Sequence, residues 1–133
     1  MIRTAVSNDI PSIRTLMTSV PGFWHADWRE DAIDIAIQSA GSLAFVYEEN
    51  GRLLGFACGH DLGFLGYLSV LVVAPRAQGR GLGSQLVEAV QQELINRSCG
   101  VLISDVWKNS EGFYRNLGWR PPDVILLRKK LRE

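Results

Sequence analysis

The stretch Gln78-Gly79-Arg80-Gly81-Leu82-Gly83 lies between an apolar run, Tyr67–Val73, and an amphipathic helical pattern. A chain that turns sharply from strand into helix leaves the first helical N–H groups unpaired and pointing the same way. Together with the positive end of the helix dipole, those donors make a site for a phosphate or pyrophosphate. Arg76 and Arg80 on the same turn add positive charge, and a guanidinium can grip a phosphate with two parallel bonds. The residues therefore point to a phosphate-bearing ligand held at a strand–loop–helix junction. The same glycines are also compatible with nothing more than a tight turn and close helix packing.

The elements that must position this turn follow from periodicity. Ile2–Val6 reads as a first strand, and Ser7, Asn8 and Asp9 offer caps for a helix whose Ile10, Ile13, Leu16 and Met17 share one face. Pro21-Gly22 ends it. Asp27 is positioned to cap a second helix reaching about Ser39. Leu43–Glu48 and Arg52–Gly59 are strands joined around Asn50-Gly51, a strong hairpin signal. After a bend at Gly63 and Gly66 comes a strand over Leu68–Val73. The helix beyond the glycine turn carries Gly83, Leu86, Val87, Val90 and Leu94 at i, i+3, i+4, i+7 and i+11, so one face is buried. Val101–Val106 reads as a buried strand, Ser110–Leu117 as a short helix with Gly118 at C′, and Val124–Leu127 as a last strand. The order β-α-α-β-β-β-α-β-α-β predicts a single α/β (α+β) domain: a mixed β-sheet flanked by helices.

Composition narrows the function. The chain has 133 residues, enough for one domain with a real core, and 47% of them are apolar. Fourteen Lys and Arg balance fourteen Asp and Glu, so no overall field favours nucleic acid, and Arg128-Lys129-Lys130-Leu131-Arg132 is expected to be a solvated end. No apolar run has the length of a membrane span and the N-terminus lacks a secretory pattern. Cys58 and Cys99 have no partner at metal-ligand spacing and read as buried free thiols, so a cytoplasmic protein with no metal is expected.

Two motifs now coincide in order. Val72-Val73-Ala74-Pro75-Arg76-Ala77-Gln78-Gly79-Arg80-Gly81-Leu82-Gly83-Ser84 resembles the acyl-CoA-binding turn of the GNAT N-acetyltransferase superfamily, Q/R-x-x-G-x-G/A. Asn109-x-x-Gly112-Phe113-Tyr114-x-x-x-Gly118-Trp119 is similar to that superfamily's downstream N-x-x-A-x-x-F/Y-Y-x-x-x-G-F signature, slightly compressed. The resemblance implies a GNAT-like fold with splayed central strands and acetyl-CoA as cofactor. It implies transfer of an acetyl group to a primary amine of a small molecule or peptide in a ternary complex. On the matching positions, the backbone of Gln78, Gly79, Arg80, Gly81, Leu82, Gly83 and Ser84 would bind the pyrophosphate. The main chain of Leu71, Val72 and Val73 would hold pantetheine and polarise the acetyl carbonyl. Asn109 would contact the cofactor arm, and Tyr114 would act as general acid at the sulfur. The chemistry asks for such groups: a thioester attacked by an amine needs donors for its oxygen and a proton for its departing thiolate. Asn109 is equally suited to capping the short helix, and Tyr114 to sitting half-buried in the core.

The resemblance leaves two gaps. Many relatives carry a carboxylate on the strand before the turn, where this chain has only Tyr67-Leu68-Ser69-Val70-Leu71-Val72-Val73. The general base is then sought among His60, Asp61, Asp105 and a water relayed by Ser69. The acceptor cleft is expected beside Phe23–Trp28, with Trp24, His25, Asp27 and Trp28 either binding the amine or anchoring a loop. Only Arg120-Pro121-Pro122-Asp123 joins Trp119 to the last apolar run, which predicts an open acceptor site or a wall supplied by a second subunit in a homodimer. Competing readings are a non-catalytic acyl-CoA sensor and a protein N-terminal acetyltransferase.

Overall fold

A computed structural model describes residues 1–132. Its elements are β1 (Ile2–Thr4), α1 (Ile10–Ser19), α2 (Ala32–Ala40), β2 (Ala44–Glu49), β3 (Arg52–Asp61), β4 (Gly66–Val73), α3 (Leu82–Asn96), β5 (Leu102–Ile103) and α4 (Glu111–Asn116). The five strands form one sheet in the order 1-2-3-4-5, antiparallel except for the parallel β4–β5 pair. This is the expected mixed sheet. Asn50 and Gly51 both adopt left-handed φ (52° and 76°), the conformation of the tight two-residue hairpin their types favour.

Helix α3 packs on one sheet face through buried Leu82, Leu86, Val87, Val90 and Leu94, each contributing about 1.5–3 kcal/mol on leaving water. The approach is close because the sheet is cut away beneath it. A Cβ at Gly55 would lie 2.6 Å from Leu86 and one at Gly59 2.6 Å from Val90. Helices α1 and α2 cover the opposite face with buried Ile13, Leu16, Met17 and Ile33. At the N-terminus Arg3 donates to both oxygens of buried Asp9 at 2.8 and 2.9 Å and to Glu48 at 2.8 Å. Arg3 holds the Asp9 carboxyl below the usual range, although burial opposes it.

Several expected boundaries move. Asp9 accepts the Val6 N–H across a 3₁₀ turn and makes no side-chain cap to α1. Asp27 does not cap α2, which begins later with Asp31 at its N-cap, because residues 21–31 are occupied by successive turns. The Val101–Val106 strand shrinks to Leu102–Ile103 and is not buried: Val101, Ile103 and Val106 are all exposed, and among the described residues no strand covers its outer edge. The last strand does not form. Val124 to Leu127 pair with no sheet among the described residues, and Ile125 is 81% exposed. A strand has no hydrogen bonds of its own, so without an edge to join, β propensity yields nothing. The short helix forms over Glu111–Asn116, one residue shorter at each end than the expected Ser110–Leu117. Gly118 has φ 94°, its N–H donates to Arg115 O, and the Trp119 N–H donates to Tyr114 O, completing a Schellman motif. Cys58 and Cys99 are free, but only Cys58 is buried.

Candidate active site

The glycine turn lies at the N-terminus of α3. Gly79 and Gly81 have φ of 83° and 82°, the left-handed region that a side chain disfavours, and Gly81 is the N-cap of α3. The first intrahelical bond runs from Gln85 N–H to Gly81 O at 3.2 Å, so the N–H groups of Leu82, Gly83 and Ser84 precede it with no partner one turn back. The turn borders a 490 Å³ cavity together with Leu71, Val73 and Phe113. A Cβ at Gly83 would come within 3.2 Å of the Phe113 ring, so that glycine keeps the aromatic wall close. Arg80 forms a two-pronged pair with Glu49 at 3.0 and 3.2 Å. Gln78 donates its side-chain N–H to Val73 O at 3.2 Å, tying the turn to the end of β4.

From this turn a cleft of 380 Å³ runs between the diverging ends of β4 and β5. Backbone pairing stops at Tyr67↔Ile103. One side-chain bond then continues it, from Ser104 Oγ to Leu68 O at 2.8 Å. Tyr67 donates its hydroxyl proton to Asp105 Oδ1 at 2.5 Å, and burial with the Asp105 bond pushes its pKa up to about 12. Beyond this clasp the strands part, with Leu68–Leu71 on one wall and Ser104–Trp107 on the other. Asn109 and Tyr114 also line the cleft. Asn109 sits in the 3₁₀ turn ahead of α4, whose N-cap is Ser110, so it is not the cap of that helix. Tyr114 is buried and held edge-on between Phe113 and Trp119, with centroids 5.0 and 5.2 Å away. Burial raises its pKa to about 12, so at neutral pH the phenol keeps its proton and is available as a hydrogen-bond donor.

The β3–β4 register slips where Cys58 faces Val70 while Gly59 faces Leu68, leaving Ser69 as an extra residue in β4. Such a bulge re-aims its side chain. Here the Ser69 hydroxyl lies 2.6 Å from His60 Nε2 and 3.2 Å from Cys58 O. His60 Nδ1 is 2.8 Å from Ser39 Oγ, and Ser39 donates to Ala36 O at 3.2 Å. Burial lowers the His60 pKa, so the neutral ring is favoured at pH 7. Ser69 and Val70 also line a second cavity of 540 Å³ between α2 and the sheet, and His60 lies in it.

The sequence-derived candidates divide accordingly. Leu71, Gln78, Asn109, Tyr114 and Asp105 meet at the cleft. Of the acceptor candidates, Asp27 and Trp28 border the second cavity. Trp24 stacks under Arg14, 4.3 Å from its guanidinium carbon, and His25 packs between Trp28 and Trp107. Asp61 bonds the Gly63 N–H and pairs with Arg97 at 3.7 Å, away from both cavities. Tyr67, Ser104 and Ser39 carry no motif. The alternation Tyr67-x-Ser69, polar side chains on an apolar strand, is the one signal that marks part of this network.

Comparison with known proteins fits this geometry. The Acetyltransferase (GNAT) family matches residues 10–119. An acetyltransferase of Yersinia pestis (strain Pestoides F) is 30% identical over 109 residues, spanning 78% of this chain and 77% of its own. Glucosamine-6-phosphate N-acetyltransferase from Arabidopsis thaliana superposes with a TM-score of 0.76 at 18% identity, covering 99% of this chain and 98% of that one. Aminoglycoside N-acetyltransferase AAC(6')-Iy, solved with CoA, gives 0.74 at 23% identity over 98% and 99%. The sequence match over most of the chain, on a sheet whose glycine turn and split strands are in place, shows that this protein belongs to the GNAT acetyltransferase family.

Proposed function

We propose that the protein is an acetyl-CoA-dependent N-acetyltransferase that passes an acetyl group directly to a primary amine in a ternary complex. The observation that carries this reading is the continuity of the glycine turn, the split between β4 and β5, and the Tyr114 phenol along one path. The residues fit the cofactor. Unpaired N–H groups of Leu82 to Ser84 suit a pyrophosphate, and beyond the adjoining residues no atom lies within 4 Å of where a Cβ at Gly79 or Gly81 would stand. The unpaired edge of β4 above Leu68 suits the amides of a pantetheine arm, with Asn109 on the facing wall. When bound, the thioester supplies the acetyl group. Related structures are described with CoA bound, which agrees with this assignment.

Tyr114 then holds a proton in the cleft for a departing thiolate. The base falls to His60 acting through Ser69. With Nδ1–H donated to Ser39 and Ser39 donating to Ala36 O, the Nε2 lone pair is left to accept the Ser69 hydroxyl proton, at 2.6 Å a nearer acceptor than Cys58 O at 3.2 Å. An amine nitrogen at Ser69 passes its proton to the Ser69 oxygen as the Ser69 proton moves to His60. Asp105 is less suited, because its carboxylate is engaged by the Tyr67 hydroxyl. Two free thiols agree with a reducing compartment such as the cytoplasm. Thiol release from acetyl-CoA across a panel of amines tests the reading. Turnover by the wild type and its collapse in Tyr114→Phe support it, whereas tight CoA binding with no turnover of any amine contradicts it.

A further inference from the structure

The cavity between α2 and the sheet shares no lining residue with the pocket at the glycine turn. Its walls include Trp28, Ile33, Ile35, Ala36 and Phe56, and Trp28 and Ile35 are 36% and 38% exposed although apolar. An open apolar concavity of 540 Å³ is the size and character of a small-molecule site. Its inner polar side chains, Ser39 and Ser69, are both taken up by His60, and the exposed Arg29–Asp31 pair lies at its rim. A polyhydroxylated amine would therefore find few free partners and would strip its own hydroxyls of water at a cost. Asp27 adds a negative charge at the rim, complementary to an ammonium group on entry. The cavity meets the reaction cleft at Ser69 and Val70, which line both.

From this we infer that the acceptor is a primary amine carried on an apolar body, the body lying in the α2 groove and the nitrogen reaching over Ser69 into the cleft. The inference rests on the acetyltransferase reading and adds the substrate class. A saccharide amine is disfavoured by the same walls. A ring or a chain of several carbons fills the groove, and each methylene it buries improves kcat/KM by about fourfold.

The test measures thiol release from acetyl-CoA by the full chain with n-butylamine, n-hexylamine, 2-phenylethylamine, ethanolamine and glucosamine. n-Hexylamine is expected to exceed n-butylamine by about fifteenfold in kcat/KM, and both to exceed ethanolamine. Ile35→Glu places a charge on the exposed rim of the groove. It is expected to raise KM for 2-phenylethylamine about tenfold while leaving KM for acetyl-CoA unchanged. Ile35→Leu should restore the wild-type value, which separates lost apolar contact from a damaged fold. Equal or better turnover of ethanolamine or glucosamine overturns the inference but leaves the acetyltransferase reading intact. So does an Ile35→Glu protein whose apolar amine kinetics match the wild type. Thiol release with none of the amines overturns both.

Discussion

The two cavities that meet at Ser69 are built from different materials. The proposed donor side is mostly main chain: a left-handed glycine turn, the first N–H groups of α3 and the unpaired edge of β4. The proposed acceptor side is mostly side chain: Trp28, Ile33, Ile35 and Phe56, together with His60. Backbone donors are the same whatever residue carries them, so a site made of them binds one ligand chemistry and tolerates little change in φ and ψ. A side-chain wall is re-lined by single substitutions. The two sides should therefore break differently, the first through geometry and the second through chemistry.

The largest effect belongs to the group at their junction with the leaving thiol. Tyr114→Phe removes a phenol proton while keeping the ring between Phe113 and Trp119. On the proposed role kcat falls by about 10²–10⁴-fold. Acetyl-CoA affinity, measured by calorimetry, should change little, because the ring and the main chain that line the cleft remain. A Tyr114→Phe protein with unchanged kcat would return Tyr114 to the core as a packing residue.

The contrast in materials also explains what could be read from the sequence. The glycine turn is legible because its requirement is local: positive φ at Gly79 and Gly81 and a helix start within two residues are written in consecutive positions. The same holds for Asn50-Gly51 and for Gly118, whose turn types depend on their own φ. The His60–Ser69–Ser39 chain is not legible, because it depends on a one-residue slip between β3 and β4 that no local pattern announces. The C-terminal half shows the opposite failure. Val101–Val106 and Val124–Leu127 have β-forming residues, yet strand formation requires a neighbouring edge, and Pro121 and Pro122 remove donors where such pairing would start. Local propensity predicts what a segment accepts, and the rest of the chain decides what it is offered.

Next in size is the effect expected at the proposed base, His60. His60→Gln retains a polar group between Ser39 and Ser69 but no group that takes up a proton near neutral pH. It should lower kcat by about 10²-fold, with acetyl-CoA binding preserved. The pH profile carries the sharper information. Burial disfavours the charged ring, so the folded pKa lies below 6.5, and the base is neutral and active above that folded value. The acid limb of kcat is then expected below pH 6.5 in the wild type and absent in His60→Gln. Stability follows the same sign: the unfolded chain takes up the proton first, so this site favours unfolding as pH falls below 6.5. A limb unmoved by His60→Gln would assign the base elsewhere, Asp105 being next.

A change at the turn tests the geometric side. Gly81→Ala forces a Cβ into left-handed φ, at about 1–2 kcal/mol. If the cost is met by shifting the turn, acetyl-CoA affinity weakens by roughly five- to thirtyfold. KM for the amine should stay within twofold, since no atom of the turn borders the acceptor groove. A change in both constants would mean that the two sides move as one body.

The smallest effect concerns the one charged side chain that bridges these categories. Arg80 was expected to face the phosphates, yet it is held by Glu49 at the end of β2, and the pair is exposed at both ends. Exposed pairs are weak, so a pyrophosphate at the α3 N-terminus could draw the guanidinium across at little cost. In that case Glu49→Gln, which frees Arg80, tightens acetyl-CoA binding by a few-fold at low salt, and the gain fades as salt rises. Arg80→Ala weakens binding by a similar factor, and the double variant matches Arg80→Ala alone. If instead Glu49→Gln leaves affinity unchanged, Arg80 serves only to fasten the turn to β2. The donor site would then be made of main chain alone.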